Sequence, residues 1–187
     1  EANDVVINRI NKYQIDCDLT MGYCDLAAKP KQMKALELDC QRLNDSDYSF
    51  EVNMLDKTEL NQQVVGSNNF IGGMTDMGSG HVQPLNLCTG EAKVANDLGV
   101  QIYTDTKVIE IIPGDVITIK TALGQVRAKK IILAGNAYSS NLLPKPLPNI
   151  SNKILPAGSY IIATEPLSNE LHQKLLPGNH AVCDMII

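Results

Sequence analysis

The chain has 187 residues, of which 44% are hydrophobic and 20% charged, with a formal net charge of −5. That length suits one medium domain or two small ones with a real core, and the composition is globular and not disordered. Lys and Arg gather only in small groups such as Lys29, Lys31 and Lys34 or Lys129 and Lys130, which argues against a nucleic-acid partner.

No apolar run approaches the ~20 residues that span a bilayer. The opening EANDVVINRINKY lacks the basic-then-apolar order of a signal peptide, so a soluble, cytoplasmic protein is expected. Cys17, Cys24, Cys40, Cys88 and Cys183 are odd in number and include no CxxC pair, which reads as reduced thiols without a metal site.

In chain order, Val6, Ile10 and Tyr13 mark one face of a first helix. YQIDCDLTMGYCDLA (13–27) alternates around Gly22, as a strand, a tight turn or bulge, and a second strand would; Asp16 and Asp18 share its solvent face. Pro30 opens a helix striped by Met33, Leu36, Cys40 and Leu43 and stopped by Asn44-Asp45-Ser46-Asp47. Asp56 with Glu59 three residues on predicts a capped short helix to about Val65.

NFIGGMT (69–75) reads as a strand broken by two glycines, and DMGSGHVQ (76–83) as a loop. Pro84 starts a helix with a stripe of Leu85, Cys88, Ala92 and Ala95 and Gly99 past its end. GVQIYTDT, KVIEIIPG, DVITIKTALG and QVRAKKIILAG then read as β-structure, with turns at Pro113-Gly114 and Leu123-Gly124. The last of these strands, apolar from Ile131 to Leu133, breaks into Ala134, Gly135 and Asn136, small or left-hand-tolerant residues that let a backbone approach another segment or a ligand. After the connector NLLPKPLPN, residues 153–164 predict a further strand, and Ser168 caps a short helix to Leu176.

These elements and the words at their joints resemble the D-amino-acid-oxidase-like family of FAD-dependent oxidoreductases, and within it the gamma-glutamylputrescine oxidoreductase type. The resemblance rests on YQIDCDLTMGYCDLA, NNFIGGMTDMGSGHVQPLNLCTG, LGVQIYTDTKVIEI, GQVRAKKIILAGNAYSS and IIATEPL, which together cover nearly the whole chain. The family's GxGxxG phosphate-binding turn is absent. The chain lacks an initial Met and stops on the apolar CDMII, so it is expected to be a central portion of a flavoenzyme that binds FAD poorly alone and is inactive alone.

The resemblance implies an α/β fold with α+β mixing: a substrate-side mixed sheet from residues 10–80 and 153–187, and part of a FAD-binding domain from 81–145. It implies that Val108 holds the FAD adenine through its backbone, and that Ala134, Gly135 and Asn136 pass the ribose and pyrophosphate, where exposed N–H groups suit an anion. Asn136 stands where the family commonly has glycine. Gly72, Gly73 and His81 fall near the expected flavin ring and substrate, where a histidine could take an amine proton. Tyr23, Tyr160 and Thr164 are expected on strands of the substrate-side sheet, whereas His172 and His180 read as solvent-facing.

The implied activity is oxidation of a C–N bond in an amine or amino acid. Two alternatives remain at this stage: a noncatalytic ligand-binding or interaction domain, and a flavin dehydrogenase of a hydroxy compound such as glycerol phosphate. An exposed sheet edge could support a homodimer.

Overall fold

The computed structural model describes residues 2–136, 155 and 157–185. They form two units, residues 1–100 with 164–187, and residues 101–163.

The first unit is built on a four-stranded mixed sheet in the order β2-β3-β1-β7. Its strands are β1 (Thr20–Ala27), β2 (Val52–Asp56), β3 (Gly72–His81) and β7 (Ala181–Asp184). β1 runs antiparallel to β3 and parallel to β7, and β2 runs antiparallel to β3. Helix α2 (Pro30–Asn44) lies over one face, where Leu36 and Cys40 meet Ala27, Val52 and Met74. Helix α3 (Lys57–Gln63) lies over the other, where Leu60 and Val64 meet Cys24, Leu26 and Leu55. The period-2 alternation of β1 thus feeds two cores at once, which is the signature of a sheet covered on both faces.

The ends of these helices follow local chemistry. The Asp56 carboxylate accepts from the Thr58 and Glu59 amides at 2.7 and 2.9 Å, and the Glu59 carboxylate accepts from the Asp56 amide at 2.9 Å, closing a capping box. Pro30 stands in the first turn of α2, and the Gln32 side chain accepts from the Ala28 and Lys29 amides, both at 2.9 Å. A third cluster joins α1 (Ala2–Tyr13) to α4 (Pro84–Asp97): Ile10, Ile15 and Cys17 are buried against Leu87 and Val94.

Several expectations are corrected here. Residues 13–27 hold one strand, not two; Gly22, at φ +113°, sits in a register shift between Met21 and Tyr23, so the bulge reading applies. Asp16 and Asp18 are exposed as expected, but in the segment ahead of β1. DMGSGHVQ is not a loop, because β3 runs through it to His81. Its glycines serve close approach: a Cβ on Gly78 would collide with the Tyr48 hydroxyl and the Phe50 ring, and one on Gly80 would meet the Thr20 carbonyl. β2 was not foreseen, since VNMLD is too short to show a period beside the Asn-Asp-Ser-Asp signal ahead of it.

On α4 the packed stripe is Leu87, Gly90 and Val94, one step from the expected one, and Leu85 and Cys88 are exposed. Gly90 faces Ile15 so closely that a Cβ would collide with it. Gly99, at φ +90°, does end the helix as expected.

The second unit contains an antiparallel meander of β4 (Val108–Ile112), β5 (Ile117–Thr121) and β6 (Gln125–Ala128). Its turns fall at Pro113-Gly114 and Leu123-Gly124, as the sequence predicts. Three strand predictions fail. Residues 101–107 are not a strand, β6 stops at Ala128 so that Ile131–Leu133 form none, and of the strand expected over 153–164 the described residues 155 and 157–164 are in none, while 153, 154 and 156 lie outside the described residues. Ile132 is 92% exposed and Tyr160 99%. Apolar β-formers become a strand only beside a partner, and none lies next to them among the described residues. The connector NLLPKPLPN lies outside the described residues. Ser168 caps α5 (Asn169–Leu175) by accepting from the Leu171 amide at 3.2 Å.

Candidate functional site

In the first unit, the chain's three histidines converge on one turn. The ring Nε2 of His81, the last residue of β3, lies 2.8 Å from the Asn179 carbonyl oxygen, and that of His172, on α5, lies 3.3 Å from the Asn179 side-chain oxygen. His180 follows directly and leads into β7. His172 and His180 are half-buried and not turned out to solvent, which corrects their reading from sequence. Only tertiary pairing of β7 with β1 brings residues 98 positions apart together.

The His180 ring fills the space above Gly22, where any side chain would collide with it, and Gly178 leaves room beside its Nδ1. Burial, with His81 nearby, holds its pKa below the ordinary 6.5, so the ring is neutral at pH 7. His180 also lines a cleft of about 200 Å³ with Glu51, Asn53, Thr75, Met77 and Gln63. Sequence reasoning missed His180. The signal available was a histidine between a Pro-Gly turn and a short apolar strand.

On the α2 face, the Tyr23 hydroxyl donates to the Asp25 carboxylate at 3.1 Å, and the Tyr48 hydroxyl to Asp76 at 2.7 Å. Burial raises the Asp25 carboxyl, and pushes Tyr48 up to about 12 with help from Asp76. Burial also drives the Cys24 thiol up to about 12, which removes it as a nucleophile at neutral pH.

Gly72 and Gly73 are buried in β3. A Cβ on the first would stand 2.6 Å from the Leu55 carbonyl oxygen, and on the second 2.7 Å from that of Asp25, so both glycines admit the neighbouring strands. Tyr23 is on β1, as expected, whereas Tyr160 and Thr164 are in unpaired backbone.

In the second unit, Val108 opens β4 opposite Thr121. Ala134, Gly135 and Asn136 follow the meander, and Asn136 adopts φ +48°. The left-handed geometry that glycine ordinarily supplies is therefore present at that position with an asparagine. Among the described residues no group of His, Cys, Asp and Glu could hold a metal ion.

The family model described as FAD dependent oxidoreductase matches residues 1–186. The chain belongs to this family. It is 38% identical, over 98% of its length, to the Haemophilus influenzae protein named "Probable oxidoreductase OrdL", and covers 43% of that protein. It is 35% identical, again over 98% of its length, to gamma-glutamylputrescine oxidoreductase of Escherichia coli, and covers 42% of it. The chain thus spans less than half the length of these relatives. Among solved structures, glycine oxidase from Geobacillus kaustophilus superimposes on 75% of the chain with a TM-score of 0.62 and 21% identity, over 38% of that chain. This likeness bears on the fold, and agrees with the α/β mixing expected from the sequence.

FAD is the cofactor of the family. The residues that the resemblance assigns to it fit in one testable respect: Ala134 and Gly135 carry nothing larger than a methyl group, and Asn136 is left-handed, so their own side chains would not block backbone N–H groups from a phosphate.

Proposed function

We propose that this family member works, in its full-length protein, as a FAD-dependent oxidoreductase of an amine or amino acid, with gamma-glutamylputrescine as the foremost candidate substrate. The observation carrying this reading is the family match across residues 1–186, joined to 35% identity with gamma-glutamylputrescine oxidoreductase over 98% of the chain.

In this reading, residues 101–136 hold part of the cofactor, with the backbone of Val108 toward the adenine and Ala134, Gly135 and Asn136 along the ribose and pyrophosphate. The mixed sheet of the first unit stands on the substrate side, with Gly72 and Gly73 keeping its strands close and His81 facing the reacting end. Bound FAD supplies the acceptor for a hydride from the carbon beside the substrate nitrogen. The chain's own contribution is to orient that carbon, exclude water, and accept the amine proton that must leave first.

A cytoplasmic location belongs to this reading; all five cysteines are free, and no described helix is long and apolar enough to cross a membrane. A homodimer would use an open outer strand such as β4 or β6, and light scattering of the full-length protein tests it.

The main test is spectroscopic. Full-length protein should purify yellow and bleach anaerobically with gamma-glutamylputrescine faster than with glycine, L-proline or glycerol 3-phosphate. A colourless protein, or one bleached by none of the amines, sinks the proposal. Bleaching by glycerol 3-phosphate alone moves the substrate class to hydroxy compounds.

A further inference from the structure

Helix α5 and strand β7 complete the first unit from far along the chain, yet no residue of either is buried. Polar contacts and close backbone approach hold them instead. The Gly66 amide donates to the Leu175 carbonyl at 3.0 Å, the Gln32 side chain donates to the Met185 carbonyl at 2.8 Å, and β7 pairs with β1. In the turn between α5 and β7, the Asn179 carbonyl and side-chain oxygens are met by His81 and His172 at 2.8 and 3.3 Å. A segment with so little buried apolar surface opens at a lower free energy than the core it leans on.

At this turn one side chain is sealed in. The register of β1 breaks at Gly22, at φ +113°, and the His180 ring fills the space so opened. Gly178 makes room on the Nδ1 side, where a Cβ would collide with the ring. Nδ1 is shut off from solvent and makes no hydrogen bond among the described residues. A protonated imidazole carries an N–H on both nitrogens, and the one on Nδ1 would here find neither water nor an acceptor. Docking of the turn therefore favours the neutral ring, whereas an undocked ring is free to charge in water.

The surrounding charges do not offset this. β3 brings His81, whose own charge would oppose that of His180, and α5 brings His172 through Asn179 together with the exposed Lys174. β1 presents Gly22, and α3 the uncharged Gln63. Glu51, just ahead of β2, lines the same cleft, and its carboxylate accepts from the Asn53 side chain at 2.7 Å. Burial first, and His81 second, hold the His180 ring below the ordinary 6.5. Docking is thus strongest above pH 6.5, weakens as pH falls below it, and levels off once the docked ring itself is protonated.

We infer that this turn is an acid-sensitive latch: when His180 takes up a proton, α5 and β7 undock from the sheet while β1, β2 and β3 stay folded. The inference is independent of which substrate the full-length protein oxidises.

The test is amide hydrogen exchange in the full-length protein between pH 7.5 and 5.5, read as protection factors, which remove the intrinsic pH dependence of exchange. Protection across residues 169–185 should fall below pH 6.5 by up to about tenfold per pH unit, the limit for one proton. The β2–β3 ladder should keep its protection throughout. In His180→Gln, which cannot take up the proton, protection of 169–185 should no longer depend on pH. Unchanged protection of 169–185 in the wild type, an equal loss in the β2–β3 ladder, or a wild-type pH response in His180→Gln overturns the inference. Should His180→Gln and His180→Asn both undock at every pH, the wild-type ring signals of His180 decide. A ring that titrates below 6.5, over the range in which protection falls, supports the latch, and one that titrates at 6.5 or above overturns it.

Discussion

The two units differ in what holds them. In the first, Leu36, Leu60, Val64, Cys17 and Cys24 are almost wholly buried, and both faces of its sheet are covered. In the second, no described residue is buried, although Ile109, Ile111, Ile117 and Ile119 alternate as well as anything in β1. Pattern without a covering layer gives a hairpin ladder with its apolar residues half in water. A meander of this kind is stable only when a further layer buries one face. The lesson is that β-propensity locates where a ladder can form, and burial decides whether it becomes a core.

The sharpest way to break that comparison is to truncate one apolar side chain in each unit. Leu36→Ala should cost about 2–5 kcal/mol, since it empties a packed site. Ile132→Ala, at a side chain 92% exposed, should stay within about 0.5 kcal/mol. Urea unfolding of the full-length protein checks both, and equal losses would mean that the second unit's apolar residues are buried by other parts of that protein.

Next in size is Gly73→Ala, expected to cost about 1–3 kcal/mol because the new methyl would press on the Asp25 carbonyl and the Cys24 sulfur at 2.7 and 2.9 Å. Gly124→Ala in the second unit meets nothing within 4 Å and should leave the melting temperature within a degree or two, roughly the response to a few tenths of a kcal/mol. Smallest is the cap of α3. Asp56→Ala should cost about 1 kcal/mol by orphaning two amides, read as a small fall in melting temperature. The exposed Lys120–Glu110 pair of the meander, at 3.1 Å, should lose under about 0.5 kcal/mol in Lys120→Ala.

Legibility followed the range of the physics involved. Pro30, the Asp56–Glu59 box, Ser168 and Gly99 mark helix ends through contacts within four residues, and each stands where it was expected. The DMGSGH run misled because glycine signals freedom in a loop and close approach in a sheet with the same letter; only the Tyr48 hydroxyl and the Phe50 ring against Gly78 separate the two meanings. The α4 stripe slipped by one step because Leu85, Cys88 and Ala92 are as apolar as Leu87 and Val94, and the choice was made by Ile10 and Ile15 packing from elsewhere. His180 was illegible for the same reason: its cradle is Gly22, 158 positions away.

By itself the sequence determined the family, the helix boundaries and the turns of the meander, since these depend on residue order and on interactions a few positions long. Tertiary structure alone decided which apolar runs became strands, which face of α4 is packed, and that three scattered histidines share one turn. Those outcomes depend on pairing and burial between segments far apart in the chain, and a linear pattern carries no record of which distant partner arrives.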